Sequence, residues 1–182
     1  MSAVAERLSA DAYFALEDPR RTELLDGTVV VNEPTFLHQE TVGAVYAALR
    51  AWTHGQPGRG VVSLALDLRL DDDYVLAPDV LWFAEPIPRD AVRAPRVPEL
   101  VVEVRSLGTW ARDLGPKRAL YERHGVRELW LVDTAASSIL VFTRGAGAPA
   151  FADPIEVTAA ATLTSALLPG FAAPVAALVP SA

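Results

Sequence analysis

Two short apolar runs in this chain each carry one carboxylate, and that limits how they can fold. Residues 80–84 (Val-Leu-Trp-Phe-Ala) are introduced by Asp79, and residues 100–104 (Leu-Val-Val-Glu-Val) are interrupted by Glu103. Both runs have the length and composition of buried strands. An ionised carboxylate out of water is costly unless a cation, a metal or hydrogen bonds compensate it. The fold must therefore bring partners to both positions, and if the two strands are neighbours the carboxylates converge at one edge of a sheet.

The flanking segments set these strands in a mixed order. Ser9 is placed to cap a short helix running to about Glu17 and ended by Pro19. Residues 22–25 and 28–31 flank Asp26-Gly27, a pair suited to a tight hairpin because both central positions want positive φ. Residues 36–52 space Leu37, Val42, Val45, Tyr46, Leu49 and Trp52 as an amphipathic helix. After a turn at residues 57–60, residues 61–70 alternate as one strand, with Val62, Leu64, Leu66, Leu68 and Leu70 on one face. Asp71, Asp72 and Asp73 read as a solvated turn, and residues 85–98, with four prolines, as a loop. A second helix is predicted from residue 110 or 113 to 124, stopped by Gly125. Pro116 must then lie in its first turn, where a missing N–H costs little. Strands at 128–132, 138–142 and 155–158 follow, then a Pro/Ala-rich tail at 159–182. This order predicts an α/β fold, a mixed β-sheet flanked by helices with an N-terminal hairpin extension. The 182 residues are read as one domain with its core at about 22–158.

Charge narrows the chemistry. Lys117 is the one lysine, and every other cation is arginine. An ammonium is a compact three-donor charge that a planar guanidinium does not reproduce. The net charge of −7 argues against non-specific nucleic-acid binding, yet residues 89–128 hold nine basic and six acidic side chains, compatible with a phosphate-facing site. Without cysteine there is no disulfide or thiolate metal site, and His38, His54 and His124 are too scattered for zinc. A hard, oxygen-ligated ion fits. The N-terminus lacks a signal-like apolar core, and residues 163–179 are broken by Pro169, Gly170 and Pro174, so a cytoplasmic protein without a membrane span is expected.

Asp79, Glu103, the Val104 carbonyl and waters would complete a Mg²⁺ coordination sphere, and such an ion activates water and neutralises phosphodiester charge. Lys117 would hold the attacking water or stabilise developing charge. Asp113, Lys117 and Tyr121, four apart, share one helix face. Asp113 would orient Lys117, and Tyr121 would pack beside it. Lys117 is expected at a cleft and not in the core, so that its removal ends activity and leaves folding nearly intact.

Together, Pro78-Asp79-Val80, Val102-Glu103-Val104-x-Ser106, Asp113-x-x-x-Lys117-x-x-x-Tyr121 and Gly125-Val126-x-Glu128-x-Trp130-x-Val132-Asp133 resemble the Uma-type restriction endonuclease family of the PD-(D/E)XK nuclease superfamily, long classed as a domain of unknown function. Residues 23–27 followed by His38-Gln39, and Leu168-Pro169-Gly170 near the end, are similar to the same family, so the resemblance covers nearly the whole chain. It implies a restriction-endonuclease-like core and Mg²⁺-dependent cleavage of nucleic-acid phosphodiesters, with Mn²⁺ as a substitute. It also implies DNA as the partner and a homodimer. The superfamily's lysine would stand two residues after Glu103, where this chain has Arg105. The resemblance implies that Lys117 replaces it, and that Glu23 is an additional acid.

Each of these residues also has a structural reading. Asp79 could cap a turn after proline, Glu103 could pair with Arg105 or Arg112, Lys117 could be an exposed helix lysine, and Glu23 could form a cross-strand ion pair. His38 reads as a helix-start or packing residue, Ser106 and Thr109 as helix caps, and Trp82 and Trp130 as core. The functional alternative to a nuclease is a catalytically silent nucleic-acid- or protein-binding module that keeps the fold, or a purely structural oligomer.

Overall fold

The computed structural model describes residues 7–17, 21–106 and 110–180; Pro19 and Thr109 lie outside them. Ser9 accepts the Ala12 N–H and starts α1 (Ala10–Phe14), which ends before Glu17. β1 (Thr22–Leu25) and β2 (Thr28–Val31) pair antiparallel around Asp26 and Gly27, at φ 51° and 70°. Those are the left-handed values a two-residue hairpin turn requires. Thr35 caps α2 (Phe36–His54), whose buried stripe of His38, Thr41, Val45, Leu49 and Trp52 follows helical spacing.

The single strand expected at 61–70 is two strands in different sheets. β3 (Val61–Leu64) and β4 (Leu68–Arg69) are separated by Ala65 at φ 45°, and a residue in that region breaks the pleat. β4 pairs with β5 (Val75–Leu76), a strand the sequence reading lacks, and β3 pairs with β6 (Val80–Phe83). Leu64 is accordingly exposed while Leu68 is buried. β7 (Leu100–Val104), β8 (Glu128–Asp133), β9 (Ser138–Thr143) and β10 (Ile155–Thr158) complete a six-stranded sheet of order β10-β9-β8-β7-β6-β3. The smaller sheet has the order β2-β1-β5-β4. β7 and β8 run parallel, so a crossover must join them.

That crossover is not one α-helix. α3 (Trp110–Arg112) leads into a π-helical turn, Asp113–Lys117, and α4 (Arg118–Arg123) continues from it. Pro116 thus lies inside the helix and not in its first turn. Proline cannot donate to the carbonyl four residues back, and its ring clashes with it. A π-helical turn accommodates both problems. Gly125, at φ 92°, follows the helix as expected.

Alternation along β7 divides the core. Leu100, Val102 and Val104 face α2 together with Trp52, Trp82 and Trp130, whereas Val101 packs with Leu120, Tyr121 and Leu129 under α4. The segment set apart as a tail supplies Leu163, Leu168, Phe171, Val175 and Leu178 to the first of these clusters. There β11 (Thr162–Thr164) pairs with β12 (Ala172–Pro174), α5 (Val175–Leu178) follows, and the Trp52 indole donates to the Pro169 carbonyl at 3.2 Å. Among the described residues no helix is long and apolar enough to cross a membrane.

Candidate active site

The antiparallel pairing of β6 and β7 ends at Val80 opposite Val102, so Asp79 and Glu103 lie just past the last pair at the same end of the two strands. The Asp79 N–H donates to the Val102 carbonyl at 3.2 Å. Its Oδ2 accepts the Val104 N–H at 2.8 Å, and its Oδ1 stands 3.3 Å from Arg21 and 3.2 Å from His38 Nε2. Glu103 points toward the crossover helix. Its Oε1 lies 2.7 Å from Lys117 Nζ and accepts the Tyr121 hydroxyl. Lys117 also meets Glu23 at 3.0 Å and Asp113 at 3.5 Å. The Glu23 carboxylate further accepts the Ala77 N–H at 2.9 Å, tying the small sheet to this point.

Three buried acids share one buried ammonium. Lys117 is 4% exposed; burial alone would lower its pKa, but Glu103, Glu23 and Asp113 outweigh burial and raise it, so it stays charged. Burial likewise pushes Glu103 up, to about 8; Lys117 opposes this, and Asp113, Asp79 and Glu23 add to it. Burial also favours the neutral form of Glu23, yet Lys117 and the Ala77 N–H hold its pKa below the usual carboxylate value. The Tyr121 phenol, raised by burial and by Glu103, remains a donor. For His38, burial favours the neutral ring, but Asp79 outweighs it and raises the pKa.

Arg21, Glu23, His38, Asp79, Glu103, Val104, Asp113 and Lys117 line one open cavity of about 30 Å³, room for roughly two water-sized bodies. Asn32 Oδ1, also buried here, has no hydrogen-bond partner among the described residues. Among the described residues no three His, Asp or Glu side chains form an ion-binding group. Carboxylate and main-chain oxygen of the kind that Asp79, Glu103 and Val104 bring to this cavity suit a hard cation such as Mg²⁺.

The family model described as "Putative restriction endonuclease", Uma2, matches residues 10–176. The chain belongs to the Uma2 family. No curated protein matches it. A crystal structure described as a putative nuclease belonging to DUF820 from Anabaena variabilis superposes with a TM-score of 0.79 at 16% identity, covering 94% of this chain and 97% of that one. The two share the fold.

In this Uma2 chain Asp79, Glu103, Val104, Lys117, Glu23 and Asp113 come together at the cavity, and Tyr121 reaches it through Glu103. Arg105 does not; its guanidinium binds Asp133 at 2.7 Å and lies over the Trp110 ring. Lys117 lines the cavity as expected but is also buried, which argues against the expectation that its removal leaves folding nearly intact. The sequence reading missed Arg21 and set His38 aside as packing. Their contacts to Asp79 span 58 and 41 residues of sequence, and the one local sign for His38 was its place at the start of α2.

Proposed function

We propose that this chain is a metal-dependent endonuclease hydrolysing nucleic-acid phosphodiesters, with Mg²⁺ as the ion and Mn²⁺ as a substitute. One observation carries the reading: the two carboxylates at the β6–β7 end share a cavity with the chain's one lysine, 2.7 Å from Glu103. Asp79, Glu103 and the Val104 carbonyl would hold the ion, which when bound would activate water and offset phosphate charge. Lys117, kept protonated by its acids, cannot serve as a general base. It donates hydrogen bonds to the attacking water or to a phosphate oxygen as charge grows there. Arg21, beside Asp79, faces the same anion. By the same reading the substrate is DNA, and the working form is a homodimer with one cavity for each strand.

The test is cleavage of plasmid DNA with Mg²⁺ or Mn²⁺ by the wild type and by Asp79→Asn and Glu103→Gln. Wild-type nicking that both variants lose is expected. One feature favours the silent binding module instead: both Asp79 oxygens and the Lys117 ammonium are already engaged by protein groups. A wild type that cuts neither DNA nor RNA would establish that second reading over the first.

A further inference from the structure

Arg93 is exposed, yet its guanidinium is held in place. It lies 3.5 Å from the centroid of the Phe14 ring. Its loop is anchored by the bond from the Ala94 N–H to the Asp67 carbonyl at 2.9 Å. A guanidinium seated on a ring is a flat cationic surface, and Arg93 is exposed to solvent. Beside it opens a second cavity of about 330 Å³, lined by Tyr13, Phe14, Arg21, Asp67, Val92 and Arg93. That is the size of a small-ligand site. Val92 on its rim is 83% exposed. The wall between this cavity and the acidic one is Arg21, which lines both.

We propose that this second cavity takes one unpaired nucleotide adjacent to the scissile phosphate, its base stacked on Arg93 over Phe14 and its phosphate between Arg93 and Arg21. The inference deepens the nuclease reading and rests on it. Every base has a π-face that stacks on a guanidinium plane. Arg93 and Arg21 both attract the Asp67 carboxylate on the same wall, and the one net positive charge left over suits a phosphate. The Asp67 carboxylate supplies an acceptor for a base amino group. The cavity is open to solvent, and a base inside a duplex is already stacked on both faces, so a nucleotide that stacks on Arg93 enters single-stranded or extruded from a duplex.

The experiment uses the full-length protein in EDTA with a single-stranded oligodeoxynucleotide carrying fluorescein and an internal 2-aminopurine. Arg93→Ala should weaken binding about tenfold, lower the salt slope by about one and remove the quenching of 2-aminopurine. Arg93→Lys should restore the salt slope without the quenching, because it returns charge without a plane. Val92→Asp on the rim should weaken binding without touching the platform, and serves if Arg93→Ala is unstable. Wild-type affinity, slope and quenching in both Arg93→Ala and Val92→Asp would overturn the inference, and wild-type cleavage in parallel would leave the nuclease reading standing. Loss of binding in the variants with no cleavage by the wild type would keep the subsite and remove the nuclease. A wild type that neither binds nor cuts overturns both.

Discussion

Lys117→Met keeps much of the stem's volume and removes its charge. Carboxylate oxygens at 2.7, 3.0 and 3.5 Å would lose their common cation in a place where Lys117 is 4% exposed. Removing one partner of a buried ion pair costs about 3–5 kcal/mol. The acids have one escape, which is to bind protons. Glu103, pushed up to about 8, already holds its proton most of the time at pH 7 and so loses little. Glu23, which Lys117 holds below its ordinary value, bears most of the cost. The lower end, about 3 kcal/mol at neutral pH, is therefore expected, a fall in Tm of roughly 6–12 °C for a chain of this length. In the wild type a depressed Glu23 adds stability above its unfolded pKa and loses it as pH falls through its folded one. In the variant that contribution disappears. The gap between the two proteins should therefore widen from acid to neutral pH and be smaller near pH 4 than near pH 7. Thermal melts followed by circular dichroism at both pH values read this directly, and Lys117→Met combined with Glu23→Gln should regain about 1–2 kcal/mol. A gap of equal size at both pH values would refute the electrostatic reasoning, because lost packing does not titrate.

Three more outcomes are expected. Calorimetric Mn²⁺ affinity should strengthen as pH rises toward about 8 and then level off, since the ion and a proton compete for Glu103; a flat profile would remove Glu103 from the ligand set. Arg105→Ala should cut DNA within about threefold of wild type and cost under about 1 kcal/mol, because Arg105 is held by Asp133 near the surface; a hundredfold loss of kcat would return it to the site. Glu128→Gln should raise Tm more at pH 8 than at pH 5. Burial raises the Glu128 pKa despite its bonds from Ser165 and Trp130, so the wild type loses stability as pH climbs above the unfolded value; equal shifts at the two pH values would contradict this.

The parts of the fold legible in the sequence are those written in local chemistry. Asp26-Gly27 announces the hairpin, the apolar spacing of residues 36–52 announces α2, and the apolar runs around Asp79 and Glu103 announce buried strands. Lys117 stands out by composition alone. What stayed hidden depends on space. Ala65 gives no sign of a left-handed conformation, so β3 and β4 read as one strand. Pro116 looks like a first-turn proline until the π-helical turn is seen around it. His38 and Arg21 acquire their meaning only when β6 brings Asp79 to them. The last stretch reads as a tail because its apolar residues follow no single period, and their partners are the distant α2 and β8.

The bond from Trp52 to Pro169 joins positions 117 residues apart, and the same core mixes Val45 and Leu49 with Val175 and Leu178. On a ribosome α2 emerges early, and the cover it begins over that face of the main sheet is not complete until residue 178 has been made. Until then Trp52, Trp82 and Trp130 lack part of their cover, and contacts this distant in sequence form slowly. A chain stopped short of these residues would therefore expose apolar surface that the finished fold buries, the kind of surface that promotes aggregation.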